Sequence, residues 1–436
     1  MIFRAIFLSA FISVSAINSL AAVIGTNVPA LPLTMERITA LPAAEQPAWK
    51  DYLERSERQM RADKDFLREE IAAHGVKALT NAPSIHGTGK VRLDNRVAWY
   101  HWADARRIAD DIVTFQTPAG GWSKNLNMTR QAREPGEYFS TSDNNSPFLT
   151  TNDFDEVTDT NWDYVGTFDN DATTTQMRFL AKVIAANPTK TNAIAWQQSF
   201  LRGLDYILAA QYPNGGWPQV WPLQGGYHDN ITFNDDAVLN VLTLLRDTAL
   251  GTNEFAFVPM NARAKAAASL RRGIDCTLAA QIVVNGHRTI WPQQSDELTL
   301  QPASARNYEM PCESSPESAA LVLFLMQLTN PDSNVVASVR AARAWFEKTK
   351  IEGKAYKPVK GKGRQFITVP GSVVWARYYE IGADRPIFGD RDKSIHDNVS
   401  EISKERRNGY SWYRDTPKRV LEHFKRWNKK VSAANG

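Results

Sequence analysis

One pattern recurs three times along this chain and restricts its fold more than any other feature. An amphipathic helical stretch ends in Gln, turns on Gly, and continues into Trp. Residues 109–116 lead into Thr117-Pro118-Ala119-Gly120-Gly121-Trp122. Residues 204–211 lead into Tyr212-Pro213-Asn214-Gly215-Gly216-Trp217, and 274–281 lead into Asn285-Gly286 and Trp291-Pro292-Gln293. Repeated helix–loop units bury their apolar faces on one another, so the repeat belongs to a stacked α architecture. In the second copy Phe200, Leu201, Leu204, Ile207 and Leu208 follow i, i+1, i+4, i+7, i+8, one helical face.

A second set of helices alternates with these. Residues 171–186 carry Met177, Leu180, Val183 and Ile184 on one side, with Asp169 or Asn170 as the expected N-cap. Residues 237–250 carry Val238, Val241, Leu242 and Leu245, with Asn234 or Asp235 as cap. The stretch 317–328 is apolar nearly all round and is expected to be central; 334–350 reads as an outer helix. Inner and outer helices in alternation, with the Trp loops at one end, predict a mainly α fold. It is an α/α toroid with long loops and little β structure. The only strand pair expected is a short hairpin near 289–291.

The ends of the chain read differently. Met1-Ile2-Phe3-Arg4, the apolar run 5–16 and Ser19-Leu20-Ala21-Ala22 have the layout of a signal peptide over 1–22. That points to a secreted or periplasmic protein. Residues 23–94 form an expected extended and helical segment, with 81–90 as linker, ahead of a catalytic toroid over 95–432. A negative mean hydropathy excludes an integral membrane protein. A net charge of +4 is too small to argue for nucleic acid, though it tolerates an acidic polymer. Cys276 and Cys312 are the only cysteines, and a disulfide or two buried thiols are both open. A monomer is expected.

Three groups of residues carry candidate chemistry. The Trp loops offer flat apolar faces on which sugar rings stack; equally, each Trp closes its turn. Asp169-Asn170-Asp171 and Asn234-Asp235-Asp236 each open a helix, where carboxylates cap and meet the helix dipole. Each holds two carboxylates and an amide, more than a cap needs, which suits calcium or a glycosidase acid–base pair. Arg306, Arg377 and Arg391 can clamp carboxylates bidentately or serve as ordinary ion-pair partners, Arg306 with Glu309 or Glu313.

The blocks Gly-Gly-Trp-Ser-Lys-Asn (120–125), Phe-Asp-Asn-Asp-Ala-Thr (168–173), Gly-Gly-Trp-Pro-Gln (215–219), Thr-Phe-Asn-Asp-Asp-Ala (232–237) and Ala-Arg-Asn-Tyr-Glu (305–309) resemble the pectate lyases of polysaccharide lyase family ten. So does the stretch 375–392. The resemblance covers roughly 95–430. It implies an α/α toroid that uses calcium and cleaves polygalacturonate by anti β-elimination. Carried across, Asp171 and Asp235 match the calcium-binding aspartates, with Asn170 and Asp236 beside them. Arg306 matches the base, and Arg377 and Arg391 match arginines that hold substrate carboxylates. Lys124, Asn125, Trp217 and Tyr308, within or beside those blocks, are expected substrate contacts. Two other readings remain open: a toroidal glycoside hydrolase using paired carboxylates, and a non-catalytic protein that binds acidic polysaccharide.

Overall fold

A computed structural model describes residues 23–85, 91–141, 144, 149, 152–156, 159 and 162–434. The expected signal peptide and residues 86–90 of the expected linker lie outside these. Eleven α-helices are present among the described residues: α1 (Met35–Thr39), α2 (Gln46–His74), α3 (Ala103–Thr114), α4 (Thr174–Ala186), α5 (Ala193–Ala210), α6 (Ala237–Leu250), α7 (Met260–Ala279), α8 (Ser315–Leu325), α9 (Ser333–Thr349), α10 (Lys404–Gly409) and α11 (Pro417–Ala434).

Helices α4, α6 and α8 pack in sequence as an inner row, and α3, α5, α7 and α9 do so as an outer row. This is the α/α toroid. Helix α8 is inner because Leu321, Val322, Phe324 and Leu325 leave it no polar stripe to turn outward. α11 closes the structure against α8 and α9. No helix among the described residues is long and apolar enough to cross a membrane.

The repeat is an architectural joint, made the same way each time. Gln116 Nε2 donates to Gly120 O (2.7 Å) and to Ser199 O of the next outer helix (2.9 Å). Gln211 repeats this with Gly215 O and Ser269 O, and Gln281 with Thr289 O and Ser338 O. Each Trp then returns its indole N–H to its own helix: Trp122 to Ile112 O, Trp217 to Ile207 O, Trp291 to Thr277 O. Gly215 has φ +98°, and a Cβ there would lie 2.3 Å from Arg272 O, so only glycine fits.

The N-terminal segment packs on this body. Trp49 and Tyr52 of α2 meet the Tyr212 ring at 5.2 and 4.7 Å. Residues 83–85 of the expected linker are pinned by Ile85 N to Asn125 O and Asn127 N to Pro83 O. Two strand expectations are corrected. The short hairpin lies at Val283–Val284 and His287–Arg288, around Asn285-Gly286. A long antiparallel ribbon, Ile351–Val359 with Gly363–Ala376, was not expected at all. Cys276 and Cys312 are free and buried.

Candidate active site

Two turns of like backbone stand at the loop end of the inner helices. Phe168 N bonds Gln219 O and Phe233 N bonds Gln293 O, both at 3.0 Å, so each turn hangs on the Gln that follows a Trp loop. In the first, Asn170 and Asp171 have φ of +50° and +61°; in the second, Asp235 and Asp236 have +48° and +57°. Positive φ is uncommon outside glycine and is carried here by the residue types that tolerate it best. The turns touch each other. Neither turn uses a side chain to cap the helix it precedes. The expected caps are therefore absent, and the acids are left for another purpose.

Between the turns and the 305–309 loop lies a cleft of about 190 Å³, lined by Lys124, Tyr164, Asp169, Asn170, Asn234, Asp235, Arg306 and Glu309 among others. Asp235 is solvent-accessible at its mouth. Burial, then the Asp169 charge, raise the Asp235 carboxyl to about 6 although Arg377 and Arg306 oppose this. Burial, followed by Glu317, Asp171 and Asp235, raises Asp236 to about 7. Asp171 is also raised, first by the loss of water around its carboxyl, and its Oδ1 accepts a 2.6 Å bond from Asn240. Asp171 and Asp236 do not line the cleft; Asn170 and Asp235, their neighbours, do.

Asp169 differs. Its Oδ2 takes a 2.6 Å bond from Lys124 Nζ, which also lies 3.3 Å from the Tyr164 ring centroid. Burial would raise Asp169, but Lys124 brings it below the usual carboxylate range. Its other oxygen, Oδ1, is buried with no hydrogen-bond partner.

The 305–309 loop holds Arg306 tightly. Ala305 N bonds Glu309 O and Glu309 N bonds Arg306 O. Arg306 Nε and Nη2 bond the Glu309 carboxylate at 2.8 and 2.5 Å. Burial disfavours charge on both, yet each stabilises the other's ion. Glu309 is brought down to about 2, and Arg306 is held well above its ordinary value. Tyr410 adds a 2.7 Å bond to Glu309 Oε1. Asn27, in the lead-in before α1, fastens the same loop by donating to Arg306 O and Asn307 O at 3.2 and 3.0 Å.

The remaining expected site residues fall into three places. Tyr308 is buried and ringed by cations, with Arg406, Arg306 and Arg391 at 4.4, 5.0 and 5.5 Å from its centroid. Arg391 bonds Glu405 through Nε at 2.9 Å. Arg377 is buried behind Asn234, to which Nη2 donates at 3.0 Å, and is ion-paired with Glu317. A substrate carboxylate would have to compete with Glu317 for it. Asn125 is buried beside Lys124 and donates to Asn144 Oδ1 at 2.9 Å. Trp217 corrects an expectation: at 1% exposure, with its N–H spent on Ile207 O, it cannot face a sugar. Residues missed from sequence are Asp169, Tyr164, Glu309 and Tyr410 as site members, Arg406, and Asn27. Asp169 and Glu309 stood inside quoted blocks; Tyr410 and Asn27 had no local signal.

A toroid whose loop end gathers carboxylates, amides and guanidinium groups in an open cleft has the makings of a carbohydrate-active enzyme for an acidic polymer. A family model for pectic acid lyase matches residues 116–421. Two solved structures are similar: the family 10 polysaccharide lyase from Cellvibrio cellulosa, and a mutant of it in complex with trigalacturonic acid. Each is 30% identical, covering 76% of this chain and 95% of its own, with TM-scores of 0.64 and 0.63. A search of curated proteins gives no match. The chain belongs to the pectic acid lyase family, and it is a pectate lyase.

Proposed function

We propose that this pectate lyase is calcium-dependent and cleaves α-1,4-polygalacturonate by anti β-elimination, leaving 4,5-unsaturated oligogalacturonides. The observation that carries this reading is the pairing, at one cleft, of two acidic turns that cap nothing with an arginine on the facing loop. The donor chemistry fits a hard cation: carboxylates from Asp171, Asp235 and Asp236 and the amide oxygen of Asn170. The orphaned Asp169 Oδ1 beside them is the kind of buried atom that an ion or water explains. Among the described residues no three acidic, imidazole or thiol side chains converge at metal-binding spacing. The chain therefore offers a partial shell, and substrate carboxylates would complete the about six to eight oxygens calcium takes. Bound there, calcium would supply Lewis-acid stabilisation of the charge that develops as C5 is deprotonated.

The chain's own residues divide the remaining work. The C5 proton is acidic because it is α to a carboxylate. Arg306 takes it; the C4–O bond then breaks and C4–C5 becomes unsaturated. Arg391 and Arg377 hold carboxylates of the polymer, with Lys124, Asn125 and Tyr308 around them. Glu309 opposes the first step by holding Arg306 protonated, so Arg306 acts from a minority state whose share grows with pH. The same ion pair favours a second reading, in which solvent hydroxide is the base and Arg306 is a fixed cation beside the developing charge.

The test is turnover of polygalacturonate with and without a chelator, followed by the ultraviolet absorbance of a conjugated uronide. Chelator-sensitive absorbance is expected. New reducing ends without absorbance would mean a hydrolase, and binding without turnover would mean a silent protein. Export is proposed with the same function: removal of 1–22 leaves a monomeric protein starting at Val23, which the intact mass of the secreted form checks.

A further inference from the structure

We propose that the ribbon Ile351–Val359/Gly363–Ala376 is a second pectate-binding surface, outside the cleft, that holds the anionic polymer for the enzyme. The ribbon's tip carries Lys357, Lys360, Lys362 and Arg364, with Lys354 one step nearer the body, and no acid between 353 and 379. The lysines are exposed. Among the described residues none of the five makes an ion pair. Lys354 Nζ meets only Thr368 Oγ1, at 3.2 Å. Elsewhere the surface cations are commonly paired: Lys350 contacts both Glu347 and Glu352, and Arg385 both Glu380 and Asp397. Unpaired like charges repel, so a cluster of this kind is stabilised by an external anion.

Register and packing give the surface its shape. Lys354, Arg364, Phe366 and Thr368 share one face of the ribbon, because Lys354 pairs with Thr368 and Tyr356 with Phe366. Phe366 is partly exposed, at 37%, and its ring rests on Tyr413 at 4.3 Å. The face thus offers cations beside an apolar ring, a combination that suits a uronate polymer with its carboxylates and C–H faces. The charge is also lopsided at a larger scale. Residues 351–436 hold 19 Lys+Arg against 10 Asp+Glu, whereas the preceding 350 hold 32 against 37. An acidic polymer is therefore drawn to this end of the molecule.

The ribbon leads to the site. Its second strand ends at Ala376, and Arg377 at the back of the cleft follows directly. Nine residues of strand span about 30 Å, and at the tip Arg364 N bonds Asn408 Oδ1 of α10 at 2.7 Å. A long chain lying along the ribbon is delivered to the cleft, whereas a trimer seated among Arg306 and the acidic turns is expected to bind without the ribbon's lysines.

That difference makes the test. In the triple variant Lys354→Ser, Lys360→Ser, Lys362→Ser, kcat/KM on trigalacturonate is expected to be unchanged, which also reports that the protein is folded. On long polygalacturonate at low salt, KM is expected to rise about tenfold, the low end of the gain an electrostatic surface gives. The two proteins should converge near 1 M salt, where screening shortens to about 3 Å. The corresponding Lys→Arg triple variant should behave as the parent. Equal KM on the polymer for parent and Ser variant would overturn the proposal. So would an equal loss on the trimer, which would put the ribbon inside the cleft. A raised polymer KM in the Lys→Arg variant, equal to that of the Ser variant, would likewise overturn it.

Discussion

The Trp loops and the acidic turns are both repeats, and they are used in opposite ways. In the loops the bridging amide N–H groups and the indole N–H groups all have internal partners. Gln116, Gln211 and Gln281 each bridge a loop carbonyl and a neighbouring helix, and each indole N–H returns to its own helix. In the turns the backbone is equally repeated, but the carboxylates cap nothing and crowd one another. A repeat whose side chains close on themselves builds the scaffold. A repeat held in costly positive φ with its side chains left over serves a site, as such strain commonly does.

The largest effect is expected at Arg306. Replacing it with Lys keeps the charge but moves the nitrogen and loses the planar fork to Glu309. If Arg306 takes the proton, kcat should fall by about 10²–10⁴ with oligogalacturonate binding retained. Steady-state kinetics with a separate binding measurement decides; near-normal kcat would shift the base to hydroxide. The scaffold half predicts the reverse for Trp217→Ala. Removing a fully buried indole should cost about 3–5 kcal/mol of stability, read by denaturant unfolding. At a temperature where the variant is still folded, KM should be unaltered. A raised KM with unchanged stability would return Trp217 to the substrate surface.

What was legible from sequence follows the range of the interactions. The helices and their inner–outer order were readable because amphipathic spacing and Gly punctuation are local. The ribbon was not: Lys and Pro interrupt its alternation, and four residues of the second strand, 369–372, bulge opposite Gly353 alone. Within the site, the residues of the two turns could be named, but their division of labour could not. That Asp169 is neutralised by Lys124 and Arg377 by Glu317 depends on pairs 45 and 60 residues apart. Tyr410 reaches Glu309 across 101 residues and Asn27 reaches Asn307 across 280. The Trp loops were legible as loops and ambiguous in role, because a Trp that stacks on sugar and one that plugs a turn have the same spacing.

The smallest effect expected is in the pH dependence of stability. Asp235 and Asp236 have folded values raised to about 6 and about 7 from the usual carboxylate range. For a raised acid the stabilising contribution is complete below its unfolded pKa, about 4, and is lost as pH rises through the folded value. Between about pH 4 and 7 the turns therefore destabilise the protein as they ionise, and a cation placed among them recovers that loss. Calcium should raise the Tm little at pH 4.5 and more at pH 8. At a tenfold excess over Kd the gain is about 1.4 kcal/mol, a shift of about one to two degrees for a chain of this size. In Asp235→Asn the calcium-dependent part should shrink at pH 8 while the calcium-free Tm rises, since one of the crowding charges is gone. Magnesium at the same concentration should do less, because it demands a tighter octahedral shell. Differential scanning calorimetry at the two pH values, with and without calcium, reads all of this. An equal calcium shift at both pH values would mean that the ion binds elsewhere, and that the leftover carboxylates of the turns are not its ligands.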